Sequence, residues 1–109
     1  MAESYKVLGQ EAPAAASAVA LYTVPSATEA VISTISVCNY GGSTGTFRLN
    51  IQPDGEALTN KNYLVYDASV SSKDTLFLTV GATMNAADVL GVYASTASFS
   101  FSAFGTEIV

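Results

Sequence analysis

The sequence contains no histidine, no tryptophan and a single cysteine, Cys38. Without histidine the chain lacks the side chain that most often acts as a general base near neutral pH and that most often binds zinc. A lone cysteine excludes thiolate clusters and internal disulfides. We therefore expect no catalytic residues, no metal site, no cofactor and no hydrolase activity on peptidoglycan or polysaccharide.

Charged residues are also scarce, at 12% of the 109 residues, about half of the usual fraction of about 25%. Nine acidic and four basic residues give a net charge of −5, so contact with nucleic acid would act against the overall field of the protein. A monomer this small usually carries more charge. We therefore predict no nucleic-acid binding and a homo-oligomer.

Long apolar runs are missing as well. No stretch approaches the roughly 20 consecutive apolar residues of a membrane-spanning helix. The start, MAESYKVLGQ, has an acidic residue where a signal peptide would be basic. We therefore expect no membrane association, and synthesis and retention in the cytoplasm.

Short segments with apolar residues at alternate positions recur about every ten residues, separated by turn residues. In the clearest, TFRLNIQ over 46–52, three apolar side chains alternate with polar ones, and the turn signal Pro53-Asp54-Gly55 follows. Seven or eight such strands are typical of two packed antiparallel sheets. We predict an all-β antiparallel β-sandwich, jelly-roll-like or immunoglobulin-like, over residues 18–109, preceded by an N-terminal arm over residues 1–17.

The same alternation predicts which side chains form the core. Seven apolar residues are expected there: Phe47, Leu49, Ile51, Leu76, Leu78, Phe99 and Phe101. In the preceding strand, residues 30–39, strict alternation puts Val31 and Ile35 on one face and Ile32 on the other. At most one helical turn is expected, near residues 84–88.

Two further features concern connections and contacts. The break YGGS over 40–43 is expected to join the flanking strands as an antiparallel hairpin. Candidate interface residues are Tyr5, Val7 and Leu8 in the arm, which can add to the edge of a neighbouring sheet, together with Tyr63 and Tyr66. The two tyrosines also admit a second interpretation, because exposed aromatic rings on a β-sandwich can stack on sugar rings.

Several segments resemble small virion structural proteins of tailed bacteriophages, especially cyanophages and related marine phages. They are YKVLGQ near the start, LYTVP over 21–25, VCN over 37–39, FRLNIQPDGEAL with the downstream KNYLVYD, and SFSFSAFGTEIV at the end. The resemblance spans nearly the whole chain and implies a non-enzymatic component of the capsid, neck or tail, made in the host cytoplasm and incorporated into the virion.

Within such a particle, the size, the β-rich pattern and the arm favour a capsid decoration, or cement, protein that binds the major capsid protein and stabilises the head. The resemblance to such proteins implies that the homo-oligomer is a trimer. A tail, neck or baseplate adaptor is the alternative. A carbohydrate-binding module for host recognition is a third interpretation, from a different functional class.

Overall fold

The computed structural model describes residues 2–109, and these residues form eight β-strands. The strands are β1 (Glu3–Glu11), β2 (Ser17–Thr23), β3 (Glu29–Asn39), β4 (Gly45–Gln52), β5 (Tyr63–Val70), β6 (Asp74–Met84), β7 (Val89–Ala94) and β8 (Phe99–Ile108). The helical structure in this range consists of two single 3₁₀ turns, Pro53–Gly55 and Asn60–Asn62. The helical turn expected near residues 84–88 is a hydrogen-bonded turn instead, and the expected turn at Pro53 is confirmed.

The strands form two antiparallel four-stranded sheets. The first sheet has the order β1-β8-β3-β6 and the second the order β2-β7-β4-β5. First and last strands therefore pair, as do β2 with β7, β3 with β6 and β4 with β5, which is one long hairpin rolled into two sheets. The predicted β-sandwich is confirmed, and its strand order is that of a jelly roll rather than of an immunoglobulin domain.

The predicted hairpin across residues 40–43 is wrong, because β3 and β4 lie in different sheets. The buried side chain of Asn39, at the end of β3, anchors this crossing. Its Nδ2 donates to the carbonyls of Ser43 and Val70, at 2.9 and 3.0 Å, and its Oδ1 accepts from the backbone N–H of Gly41. Alternation shows which face of a strand is apolar but not which strand pairs with it.

Four of the seven predicted core residues are fully buried between the sheets: Phe47, Leu49, Phe99 and Phe101. The remaining three, Ile51, Leu76 and Leu78, are half-buried and pack against that core. Leu76 and Leu78 lie on β6, which is an edge strand and therefore has a neighbour on one side only. Position in the sheet thus limits their burial, although their faces were predicted correctly.

A line of β-bulges crosses the first sheet and changes the alternation. The pairing with β8 shifts at Leu8 in β1 and at Ser33 in β3, and the pairing of β6 with β3 shifts at Val80 and Gly81, opposite Ser33. In β3 the extra residue turns Ile32 inward, together with Ile35. The strict alternation expected for this strand, with Val31 inward, is therefore wrong at the bulge.

The segment interpreted as an arm, residues 1–17, supplies β1 to the first sheet. β1 pairs with β8 from Glu3 to Glu11, and Ala2 exchanges two backbone hydrogen bonds with Val109, at 3.1 and 2.9 Å. At Gly9, β1 lies so close to β2 that a Cβ would fall 2.1 Å from the carbonyl oxygen of Leu21. β1 is therefore an edge strand that packs on its own chain.

Candidate binding surfaces

The outer side of the first sheet is a broad surface whose central positions carry uncharged side chains. We call it the neutral face. Its members are Tyr5 and Val7 of β1, Ser100, Ser102, Phe104 and Thr106 of β8, Val31, Thr34, Ser36 and Cys38 of β3, and Thr75, Phe77 and Thr79 of β6. Two acidic residues at strand ends lie on the same side, Glu3 of β1 and Glu29 of β3, and both are opposite Ile108. The neutral face is thus a patch of Ser, Thr, aromatic and aliphatic groups with acidic residues at one end.

Large apolar side chains project from this face. Tyr5 is 78% exposed and Phe77 71% exposed, and Val7 beside Phe104 is about half exposed. Two candidate interface residues, Tyr5 and Val7, therefore lie on one surface. The third from the same segment, Leu8, is the bulged residue of β1 and packs inward near Gly105.

A second cluster lies on the outer side of the second sheet and is called here the tyrosine–arginine cluster: Arg48, Tyr63, Tyr66, Asp67 and Tyr93. The Arg48 guanidinium carbon lies 4.2 Å from the ring centre of Tyr66 and 4.1 Å from that of Tyr93, so the cation is held between two aromatic rings. Arg48 also donates two hydrogen bonds to the Asp67 carboxylate, at 2.6 and 3.3 Å. These bonds raise the pKa of Arg48 above its ordinary value.

Irregular pairing of β5 brings these side chains together. Register shifts relative to β4 occur beside Leu64 and beside Asp67. Asp67 has a positive φ of 54°, a conformation that costs a non-glycine residue about 1–2 kcal/mol. The bulges turn Tyr63 and Tyr66 to the outer side, where their rings meet edge to face with centres 4.8 Å apart.

The loop before β5 forms one side of a cleft of about 370 Å³ lined by Asn60, Tyr63 and Tyr66. Buried Asn62 organises this loop: its Oδ1 accepts from the backbone of Thr59 at 2.7 Å, and its Nδ2 donates to Glu56 at 3.0 Å. Hydrogen bonding from Asn62, together with Lys61 at 3.2 Å, lowers the pKa of Glu56. The cleft is therefore bounded by a braced loop and by the two tyrosines.

A third polar group joins the two sheets inside the sandwich. Glu107 of β8 faces inward, where it pairs with Lys6 of β1 at 2.5 Å and accepts a hydrogen bond of 2.5 Å from the hydroxyl of Tyr22 in β2. The contacts with Lys6 and Tyr22 lower the pKa of Glu107, whereas burial raises that of Tyr22. All partners of this carboxylate belong to the packing of the fold, so its role is structural.

Two further acidic side chains in turns accept hydrogen bonds from backbone N–H groups. Asp88 accepts hydrogen bonds from the N–H groups of Asp54 and Asn85, both at 2.8 Å, and Asp74 accepts one from Thr75. Within residues 2–109 there is no group of three or more acidic or cysteine side chains placed to hold a metal ion. Nor does this part of the chain contain a helix long and apolar enough to cross a membrane.

The candidate residues from the sequence thus fall on two separate surfaces. Tyr5 and Val7 lie on the neutral face, and Tyr63 and Tyr66 lie in the tyrosine–arginine cluster. Sequence reasoning missed Arg48 as a partner of the tyrosines. The alternation of residues 46–52 already places Arg48 on the outer face, in a chain with only four basic residues, and this could have marked it as a candidate. The bulges that bring Tyr66 to Arg48 leave no pattern in the sequence.

Neither the protein-family models nor the curated proteins compared with this chain give a match. The fold defines the protein as a small jelly-roll domain. The neutral face and the tyrosine–arginine cluster are therefore the features that bear on its function.

Proposed function

We propose that this protein is a non-enzymatic virion structural protein of a tailed bacteriophage, and specifically a decoration protein that binds the major capsid protein as a homotrimer. The phage assignment follows the resemblance of the segments described above. The neutral face supports the structural role, because several exposed apolar side chains on one side of a sheet are typical of a protein–protein contact.

We assign the neutral face to contact between copies of the chain. A closed trimer needs two different patches on each copy, so we assign the Phe77 side of the neutral face of one copy to contact the Phe104 side of the next. Both patches consist of apolar and hydroxyl side chains, so this contact buries no unpaired charge. The edge strand β1 borders this face and brings Tyr5 and Val7 to it. The same segment, residues 2–10, is proposed to reach either a neighbouring copy or the capsid shell.

Oligomeric state tests this assignment. In analytical ultracentrifugation the wild-type protein is expected to form a trimer, and Phe77→Asp, which places a charge within the contact, is expected to be monomeric. Leu64→Asp is the control, since Leu64 is also an exposed apolar residue but lies on the second sheet. A wild-type monomer at high concentration, or equal effects of the two variants, would contradict the assignment.

The position in the particle needs a separate experiment. A side-chain-resolution reconstruction of the virion is expected to show this chain on the outer surface of the head, in a copy number close to that of the capsid protein. Density in the tail alone, at low copy number, would favour the adaptor alternative and overturn the decoration assignment.

A further inference from the structure

We propose that the cleft beside the tyrosine–arginine cluster is a binding site for a neutral saccharide, with one pyranose ring packed against Tyr66. The cleft lies on the second sheet, opposite the neutral face, so the inference does not depend on the proposed virion role. Its volume of about 370 Å³ is within the range of small-molecule sites, about 300–1,000 Å³.

The aromatic surface in the cleft is exposed and fixed in orientation. Tyr66 is 58% exposed. The Arg48 guanidinium covers one side of its ring, and Tyr63 meets it edge to face. A ring held in this way offers apolar surface to the C–H face of a sugar at little cost in side-chain entropy.

Polar groups that suit sugar hydroxyls surround this ring. The amide of Asn60 can donate and accept hydrogen bonds, as can the hydroxyls of Tyr63 and Tyr66. Asn60 itself belongs to the loop braced by buried Asn62. An apolar platform with a few convergent hydrogen-bonding groups is the usual composition of a small-ligand site.

The charges around the cleft favour a neutral ligand over an acidic one. Arg48 is paired with Asp67 through two hydrogen bonds, and Lys61 is paired with Glu56. An acidic sugar or a phosphate would have to compete with these carboxylates for a cation, in a protein of net charge −5. A neutral hexose meets no such competition.

The test uses titration of the ¹⁵N-labelled full chain, followed by NMR. The probes are glucose, galactose, mannose and N-acetylglucosamine, with glucuronic acid and a polyproline peptide as competing chemistries. At least one neutral sugar is expected to bind in the millimolar range and to shift the amide signals of residues 60–66. Binding to none of the four, or stronger binding of glucuronic acid or of the peptide, would overturn the proposal.

Variants separate stacking from other causes. Tyr66→Ala is expected to weaken binding about tenfold, equivalent to about 1.4 kcal/mol, while Tyr66→Phe keeps the ring and most of the affinity. Tyr40→Ala, which removes a similarly exposed tyrosine from the loop after β3, should leave binding unchanged. If Tyr66→Ala is poorly folded, Asn60→Ala on the exposed loop takes its place and is also expected to weaken binding. Unchanged affinity in the folded variant, or equal losses in Tyr66→Ala and Tyr66→Phe, would contradict the stacking mode.

Discussion

Leu49 and Leu78 occupy equivalent inward positions on their strands but differ in burial, because β4 is a central strand and β6 an edge strand. Leu49 is fully buried, whereas Leu78 is half-buried against the core. Leu49→Ala is therefore expected to lower the free energy of unfolding by about 2–5 kcal/mol, and Leu78→Ala by clearly less. Urea denaturation of the two variants compares these values directly, and equal losses would show that burial in this fold does not follow strand position.

Glu107 links both sheets through Lys6 and Tyr22, so its ionisation contributes to stability. Its pKa is lowered in the folded state, so the charged form stabilises the fold at pH values above the ordinary carboxyl pKa of about 4.3. This contribution is lost as the pH falls through the lower, folded-state pKa.

Replacing Glu107 by glutamine is expected to lower the free energy of unfolding at pH 7 by about 1–3 kcal/mol. The variant should also lose less stability than wild type between pH 5 and pH 3, since that window spans the ordinary carboxyl pKa of about 4.3. Thermal denaturation over this range provides the measurement. Exposed Glu29→Gln is the control and should retain the wild-type pH dependence; identical pH profiles for wild type and Glu107→Gln would refute the role of this carboxylate.

At the level of elements, the sequence predicts the strands well and their partners poorly. Alternation in residues 46–52 and 97–104 identifies strands whose inward faces match the structure, because the period of two is a local property. The separation of β3 from β4 depends on the buried amide of Asn39 and on pairing with distant β8. Such long-range choices leave no local pattern.

The bulges account for the errors within strands. Ile32 turns inward only because Ser33 is an extra residue relative to β8, where its hydroxyl donates to the carbonyl of Phe104 at 3.1 Å. In the same way, the bulges of β5 create the tyrosine–arginine cluster. The tyrosines of that site were therefore foreseeable as exposed aromatics, but their arrangement around Arg48 was not.

Gly81 lies at the bulge of β6. It has a positive φ of 61°, and a Cβ at this position would meet no atom within 4 Å, so the effect of Gly81→Ala comes from backbone strain alone. We expect a loss of about 1–2 kcal/mol in unfolding free energy. Gly42→Ala is the matched control, because Gly42 has equally open surroundings without a left-handed φ, and it should be neutral or slightly stabilising. Chemical denaturation measures the unfolding free energy of both variants. A neutral Gly81→Ala would show that the positive φ at this position costs alanine nothing.

At the scale of the whole molecule, the first and last strands of the chain pair with each other, so that β1 forms one edge of the first sheet beside β8. Deletion of residues 2–11 removes this row of backbone hydrogen bonds and leaves Glu107 without Lys6. We expect a large fall in melting temperature, whereas Val7→Ser, which changes an exposed side chain of the same strand, should have little effect. A truncated protein as stable as wild type would instead show that the segment is dispensable for folding, as an arm would be.

The distribution of charge over the molecule predicts how salt affects self-association. The neutral face has uncharged side chains at its centre and the acidic residues Glu3 and Glu29 at one end. When the neutral faces of neighbouring copies meet, charges of like sign repel each other, while the apolar side chains provide the attraction. Added salt screens this repulsion over a Debye length that falls from about 30 Å at 0.01 M to about 10 Å at 0.1 M.

Association through the neutral face is therefore expected to strengthen as sodium chloride is raised over this range, and sedimentation equilibrium measures it directly. Glu29→Gln, which removes one of these charges, should reduce the salt dependence, whereas Asp54→Asn, in the turn after β4 and away from this face, should not. Dissociation on adding salt would mean that opposite charges hold the copies together and that a different surface forms the oligomer.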